Sequence, residues 1–211
     1  MANLTTSSLL DNLLLSIQDT SATLRARGLN WLNNAIQDIA AERDWLCLRQ
    51  SASLPVSDKS ITKPADYGRL VEMHGVGTQW VLTDQHHLSD NLYYGMRNVS
   101  GMFGSPVGWV EDATTITTLN LPDTSDIILT YIPVLGSYAD GDTMPFPMSF
   151  SNYFQRALLT TYYEFDMDER YAFSAQQKME ELKQLKHLEN QFLLPRAAYT
   201  RRYGLVNTDA R

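Results

Sequence analysis

The chain contains a single cysteine, Cys47, among 211 residues. That excludes an intrachain disulfide and leaves too little sulfur for a cysteine-rich zinc cluster. Long apolar runs are missing as well, since none approaches the roughly 20 residues that cross a bilayer. The leucine-rich start, Leu9-Leu10 and Leu13-Leu14-Leu15, has no basic leader and no small-residue cleavage site. It is also interrupted by Asp11 and Asn12, so no secretory signal is expected. Glycine-rich phosphate loops, nucleophile elbows and paired-histidine motifs do not occur. Positive charge is scarce: 17 Lys and Arg stand against 24 Asp and Glu, a net −7. A DNA binder that grips phosphates carries the opposite balance, as a basic patch or stripe. These absences describe a soluble protein without disulfides, cofactors or membrane spans, and they predict no enzyme.

What remains is an ordinary globular composition, 44% hydrophobic and 19% charged, long enough to bury a sizeable core. The charge is unevenly spread. From Pro195 onward Arg196, Arg201, Arg202 and Arg211 face Asp209 alone, a net +3 that leaves −10 on the rest. Such a tail is either ordinary solvated charge or a basic arm for an acidic partner surface.

Helical periodicity opens the chain. Leu10, Leu13, Leu14 and Ile17 share one face of a helix from about Thr6 to Gln18. Asp19-Thr20-Ser21 supplies a turn and an N-cap for a second helix. Its inner face is Leu29, Leu32, Ile36 and Ile39; Asn33, Gln37, Asp38 and Glu42 face away, and Gly28 weakens its first turns. A connection this short sets the two helices antiparallel. Beyond Trp45 the pattern changes to Thr, Val, Ile and Tyr cut by proline and glycine, the mark of short strands and turns. Strands are expected near 46–54, 68–74, 79–83, 107–111, 114–119 and 126–132, with a hairpin turn at Glu111-Asp112-Ala113. The stretch 88–102 has no clear period and reads as a long excursion.

A helical hairpin follows. Pro145 and Pro147 suit the start of a third helix, whose broad apolar face is Tyr153, Phe154, Ala157, Leu158, Thr161, Tyr162 and Phe165. Asp168 is the expected N-cap of a fourth helix. Its inward stripe is Tyr171, Ala175, Met179, Leu182, Leu185 and Phe192, and its wet face is Lys178, Glu180, Glu181, Lys183 and Lys186. Pro195 is expected to end it, leaving an extended arm to Arg211. The fold class is therefore α+β: an antiparallel bundle of about four helices, an inserted small antiparallel β domain and an extended C-terminal arm. The expected divisions are 1–45, 46–142, 143–194 and 195–211.

Candidate chemistry is thin. His86 and His87 with Asp84 and Asp90 have metal-ligand flavour, but adjacent histidines diverge on a strand or helix and rarely share an ion. Asp140-Gly141-Asp142 is too short and too close to Pro145 for a calcium loop and reads as a polar turn. Glu180-Glu181, Asp123 and Asp126 lie in turns or solvated faces. Cys47 reads as a small core residue. Among surface aromatics, Tyr93-Tyr94 and the run Tyr199-Thr200-Arg201-Arg202-Tyr203 fall where no buried face is expected. Tyrosine and arginine are the side chains that anchor interfaces.

Four segments together resemble the head-to-tail adaptor (connector, or neck) proteins of tailed bacteriophages, such as podovirus tail accessory proteins. They are Leu32-Asn33-Asn34-Ala35-Ile36-Gln37-Asp38-Ile39-Ala40 with Arg43-Asp44-Trp45-Leu46; Thr62-Lys63-Pro64-Ala65-Asp66-Tyr67; Gly108-Trp109-Val110-Glu111 leading to Leu119-Asn120-Leu121-Pro122 and Leu129-Thr130-Tyr131; and Met144-Pro145-Phe146 opening the helical pair. Their order and spacing carry the resemblance, from about Asn30 to Phe192. Lys63 and the 88–102 excursion depart from the pattern. The resemblance implies a structural virion protein, made in the host bacterial cytoplasm, that forms a ring, commonly of twelve copies, below the portal protein. Its partners would be the portal, a tail nozzle or tube protein and its own copies. Genome DNA would pass through the bore without specific binding, and no membrane would be involved. The portal-binding residues would be Arg196, Tyr199, Arg201, Arg202 and Tyr203, with Tyr93 and Tyr94 facing the tail. Two other readings stand beside it: a tail-tube completion or terminator protein, and a soluble non-viral helical interaction module.

Overall fold

A computed structural model describes residues 3–57, 59–76, 81–83, 87–88, 108–119 and 126–203, with the backbone alone for 192–203. In chain order the described elements are β1 (Asn3–Thr5), α1 (Thr6–Ile17), α2 (Ala22–Glu42), β2 (Gln50–Pro55), β3 (Ser60–Thr62), β4 (Tyr67–Gly75), β5 (Val81–Thr83), β6 (Trp109–Glu111), β7 (Thr115–Thr118), β8 (Asp126–Pro133), β9 (Thr143–Pro147), α3 (Ser151–Phe165) and α4 (Tyr171–Tyr203). The class is α+β. The chain forms two compact units, Met1–Cys47 with Ser137–Arg211, and Leu48–Gly136.

The first unit holds the four helices. Thr5 caps α1 through its hydroxyl, and Ser21 caps α2 by accepting from the Leu24 amide at 3.3 Å. Leu9, Leu10 and Leu13 of α1 are buried against α2, where Gly28 allows the approach. A β-carbon there would lie 3.1 Å from both the Leu10 and Leu13 methyls. The helix-weakening glycine therefore serves the packing. Phe146, Phe150 and Phe154 form an aromatic centre, with Phe146 at 5.2 and 5.1 Å from the other two rings. Trp45 closes it edge-on at 5.2 Å from Phe150.

Several expectations change here. Pro145 and Pro147 do not start a helix: they lie in β9, which pairs antiparallel with β1 at the edge of a two-stranded sheet. Proline is tolerated on such an edge, where its missing amide has no partner to lose. Leu46–Leu48 is a 3-10 turn, so the strand expected from Leu46 begins at Gln50. Asn33 is not on a wet face; its side-chain amide exchanges two hydrogen bonds with the Tyr138 backbone, at 2.8 and 3.1 Å. Phe165 is 54% exposed.

Helix α4 departs most from expectation. Asp168 precedes it by three residues: the Asp168 carboxylate accepts from the Arg170 amide at 2.8 Å, an Asx turn, and the first helical bond runs from the Ser174 amide to the Arg170 carbonyl. The inward stripe is Ser174, Leu182, Leu185 and Glu189, while Tyr171 and Met179 are exposed. Two polar residues occupy the stripe because each finds a partner, Ser174 with the Thr160 hydroxyl of α3 at 2.9 Å and Glu189 with Arg43. An apolar-only reading rotates the face towards Met179. Pro195 does not end the helix, whose backbone continues to Tyr203. Flanking Leu194, Arg196, Ala197 and Ala198 are strong helix formers, and propagation past one lost bond costs less than a new start. Of the expected arm, 195–203 is helical and 204–211 lies outside the described residues.

This placement gives a ranking. Leu182→Ala should cost about 2–3 kcal/mol, whereas Met179→Ala and Lys183→Ala should stay within about 0.5 kcal/mol. Urea melts of the three single variants check it, and an equal loss for Met179 and Leu182 would rotate the stripe back.

The second unit has a four-stranded antiparallel sheet, β2-β8-β4-β5, and a three-stranded one, β3-β7-β6. Their shared core is Ile61, Leu70, Met73, Leu82, Trp109, Ile116, Ile127, Leu129 and Tyr131. The Trp109 indole donates to the Thr83 carbonyl at 2.8 Å. Asp112 makes the expected β6–β7 turn, accepting from the Thr114 and Thr115 amides at 2.8 and 2.7 Å. Those bonds hold its carboxyl down to about 2.

Candidate functional site

Helix α4 is the longest element, 33 residues or about 50 Å. Its middle is fixed to the end of α2 by a polar knot. The Glu189 carboxylate accepts from the Leu46 amide, and its other oxygen lies 3.1 Å from Arg43 Nε, a charge contact rather than an aligned hydrogen bond. Arg43 also donates to Asn190 Oδ1 at 3.2 Å and stacks 5.3 Å from the Trp45 ring. Lys186 pairs with Glu42 one turn earlier. The Arg43-Asp44-Trp45-Leu46 segment thus clamps the long helix.

Beside the clamp lies an open apolar cleft of about 670 Å³, lined by Trp45, Cys47, Met148, Phe150, Leu185 and Leu188 among others. Burial pushes the Cys47 thiol up to about 12, with the Glu189 charge adding to the shift. The thiol stays protonated at neutral pH and is a poor nucleophile.

The Asp140-Gly141-Asp142 turn is a clasp. Thr6 Oγ1 donates to the Ala139 carbonyl and accepts from the Gly141 amide, each at 2.8 Å. Gly141 has φ +94°, which explains the glycine. Asp140 binds Arg25 in two-pronged fashion at 2.5 and 3.0 Å, and Arg25 also reaches Asp11 at 2.5 Å. The Arg25 hydrogen bond holds the Asp140 carboxyl below the usual carboxylate range. A depressed carboxylate contributes stability above its unfolded pKa of about 4, which is lost as pH falls through the folded value. Asp140→Asn should therefore flatten the acid limb of a melting-temperature profile from pH 7 to 2; an unchanged limb would show the clasp to be idle.

In the β unit the Asp66-Tyr67 step is also structural. Tyr131 donates to Asp66 at 2.9 Å, and Tyr67 donates to Glu111 at 3.1 Å. Lys63, which departs from the adaptor pattern, pairs with Glu111 at 3.1 Å and sits 4.9 Å from the Tyr67 ring. His87 packs on Trp109 at 4.6 Å, while Asp84, His86, Asp90 and Asp123 lie outside the described residues. Among the described residues no group of three or more His, Cys, Asp or Glu is arranged to hold a metal, and no helix is long and apolar enough to cross a membrane.

The interface residues expected from sequence fall at two places. Tyr93 and Tyr94 lie outside the described residues. Arg196, Tyr199, Arg201, Arg202 and Tyr203 all belong to the last turns of α4, about two to four turns beyond the Glu189–Arg43 clamp. At the opposite end of that helix, the turn from α3 exposes Phe165, Met167 and Phe173, the last two by 94% and 65%. Sequence reasoning placed Phe165 on the inner face of the third helix and singled out neither Met167, in the break between the helices, nor Phe173, off the expected stripe.

No curated protein matches the chain. A family model described as SU10 adaptor protein matches residues 4–203, which covers the clamp, the clasp, both units and the whole of α4. With nearly its full length accounted for, the chain belongs to the SU10 adaptor protein family and is a phage adaptor protein, a structural constituent of the virion.

Proposed function

We propose that the protein forms the head-to-tail adaptor ring, of twelve copies, between the portal and the tail nozzle or tube. The observation that carries this reading is α4, a helix clamped at its middle whose far end is basic, part of the net +3 carried from Pro195 onward. A basic, tyrosine-bearing helical end is suited to a groove on an acidic neighbour, and Arg196, Tyr199, Arg201, Arg202 and Tyr203 are its contacts with the portal. Tyr93 and Tyr94 belong to the tail-side interface. The −10 carried by the rest of the chain suits a bore through which DNA slides without sticking.

The test is removal of 195–211. The last described contacts of α4 with the bundle are at Glu189 and Asn190, so the shortened chain should keep its helical circular-dichroism spectrum. It should lose binding to purified portal rings, and Arg201→Glu with Arg202→Glu in the full chain should lose it too. Unchanged affinity in both would overturn the assignment of this end to the portal.

A further inference from the structure

Helices α1 and α3 end in the same way. The Asp19 amide returns to the Leu14 carbonyl and Gln18 to Leu15; the Asp168 amide returns to Tyr163 and Met167 to Glu164. This double bond pattern places one residue in the left-handed conformation, and that place normally falls to glycine. Here it falls to Gln18, φ 56°, and Met167, φ 52°. Glutamine is polar and sits in solvent without penalty. Methionine breaks two local rules at once: it accepts a backbone conformation that disfavours a β-carbon, and it leaves 94% of its surface in water. Among the described residues no side chain covers it. The contact that usually completes this cap belongs to its neighbours, with the Arg170 guanidinium 4.6 Å from the Tyr163 ring. A costly conformation that holds an apolar side chain outward indicates a task outside the chain.

The surroundings define that task. Phe165 ends α3 at 54% exposure and Phe173 lies in the first turn of α4 at 65%. Around them stand Glu164, Asp166, Asp168 and Glu169 against Arg170, a net −3 over ten residues, with Arg170 already bound to Asp168. Carboxylates repel nucleic acid and anionic lipid, so the occupant is a protein surface with an apolar pocket bordered by Lys or Arg. The rest of α4 separates this turn from the basic end by about 45 Å. The two ends are therefore separate surfaces.

We infer that the α3–α4 turn, with Met167 as its knob and Phe165 and Phe173 beside it, is the docking surface for the basic, apolar-pocketed tail protein. This rests on the adaptor-ring reading, in which the other end of α4 meets the portal. The decisive variant is Met167→Gly in the full chain, because it should make the fold better and the docking worse. Relief of the left-handed residue should raise the melting temperature by about 2–4 °C. Portal-bearing capsids should load this variant as they load the unaltered chain, and then capture purified tails of the same phage about tenfold less well. Phe173→Ser should act in the same direction, and Asp166→Lys with Glu169→Lys should reduce the salt sensitivity of tail capture. Tail capture by Met167→Gly equal to that of the unaltered chain would overturn the inference, as would a loss of portal loading in its place. Failure of the unaltered chain to load on the portal would instead overturn the adaptor-ring reading and this docking assignment with it.

Discussion

Trp45→Ala should destabilise the helical unit by about 3–5 kcal/mol, a third or more of the stability an ordinary domain possesses. The side chain has no exposed surface, its indole N–H donates to the Ile39 carbonyl at 2.6 Å, and its face receives the Arg43 guanidinium. Truncation removes all three contacts and opens a void against Phe150. Trp45→Phe separates the contributions. It keeps most of the ring packing and loses the hydrogen bond to the Ile39 carbonyl, for about 1 kcal/mol. Urea unfolding of the two variants measures the difference; near-equal losses would assign the residue's value to the hydrogen bond and not to the packing.

Glu189→Ala should cost about 3 kcal/mol, near the lower edge of what breaking a buried ion pair costs. The carboxylate is 10% exposed and serves both the Arg43 guanidinium and the Leu46 amide. Its removal strands a charge that is only 24% exposed and a half-buried backbone donor. Arg43 keeps Asn190 and the Lys186 carbonyl, which holds the loss below the upper edge of that range. Glu189→Gln should retain the bond from Leu46 and recover part of the loss. Replacing both charges, Arg43→Met with Glu189→Leu, should be milder than Glu189→Ala alone, because no charge is left unpaired. A double replacement that is worse than the single one would mean that the pair is net stabilising rather than a device for fixing register.

The legible and illegible parts of this fold divide along physical lines. Leu10, Leu13, Leu32, Ile36 and Ile39 announce α1 and α2 because these helices bury apolar residues at a helical period, although the buried face of α1 takes Leu9 and leaves Leu14 and Ile17 half-buried. The β6–β7 turn was readable from Asp112, whose carboxylate chemistry is local. The strands β1 and β9 were not readable: three and five residues carry no period, and they exist because distant segments pair. Proline in Pro145 and Pro147 suits a helix start and an edge strand equally, and only the partner strand decides between them. The stripe of α4 was misplaced because Ser174 and Glu189 look like surface residues until Thr160 and Arg43 are found opposite them. The exposed turn was hidden differently: Phe165 was expected inside α3, and lone apolar residues such as Met167 and Phe173 carry no period of their own. The basic end was visible from charge alone, and its helical form was not, because Pro195 stops helices less reliably than it weakens them.

The most direct measurement is a cryo-electron microscopy map of the virion neck at side-chain resolution. The account predicts a closed twelvefold ring of this chain directly beneath the portal, the residues after Pro195 lying against portal density and the Met167 turn against the tail. A sixfold ring on the tail tube with no portal contact, or a neck without this chain, would contradict it.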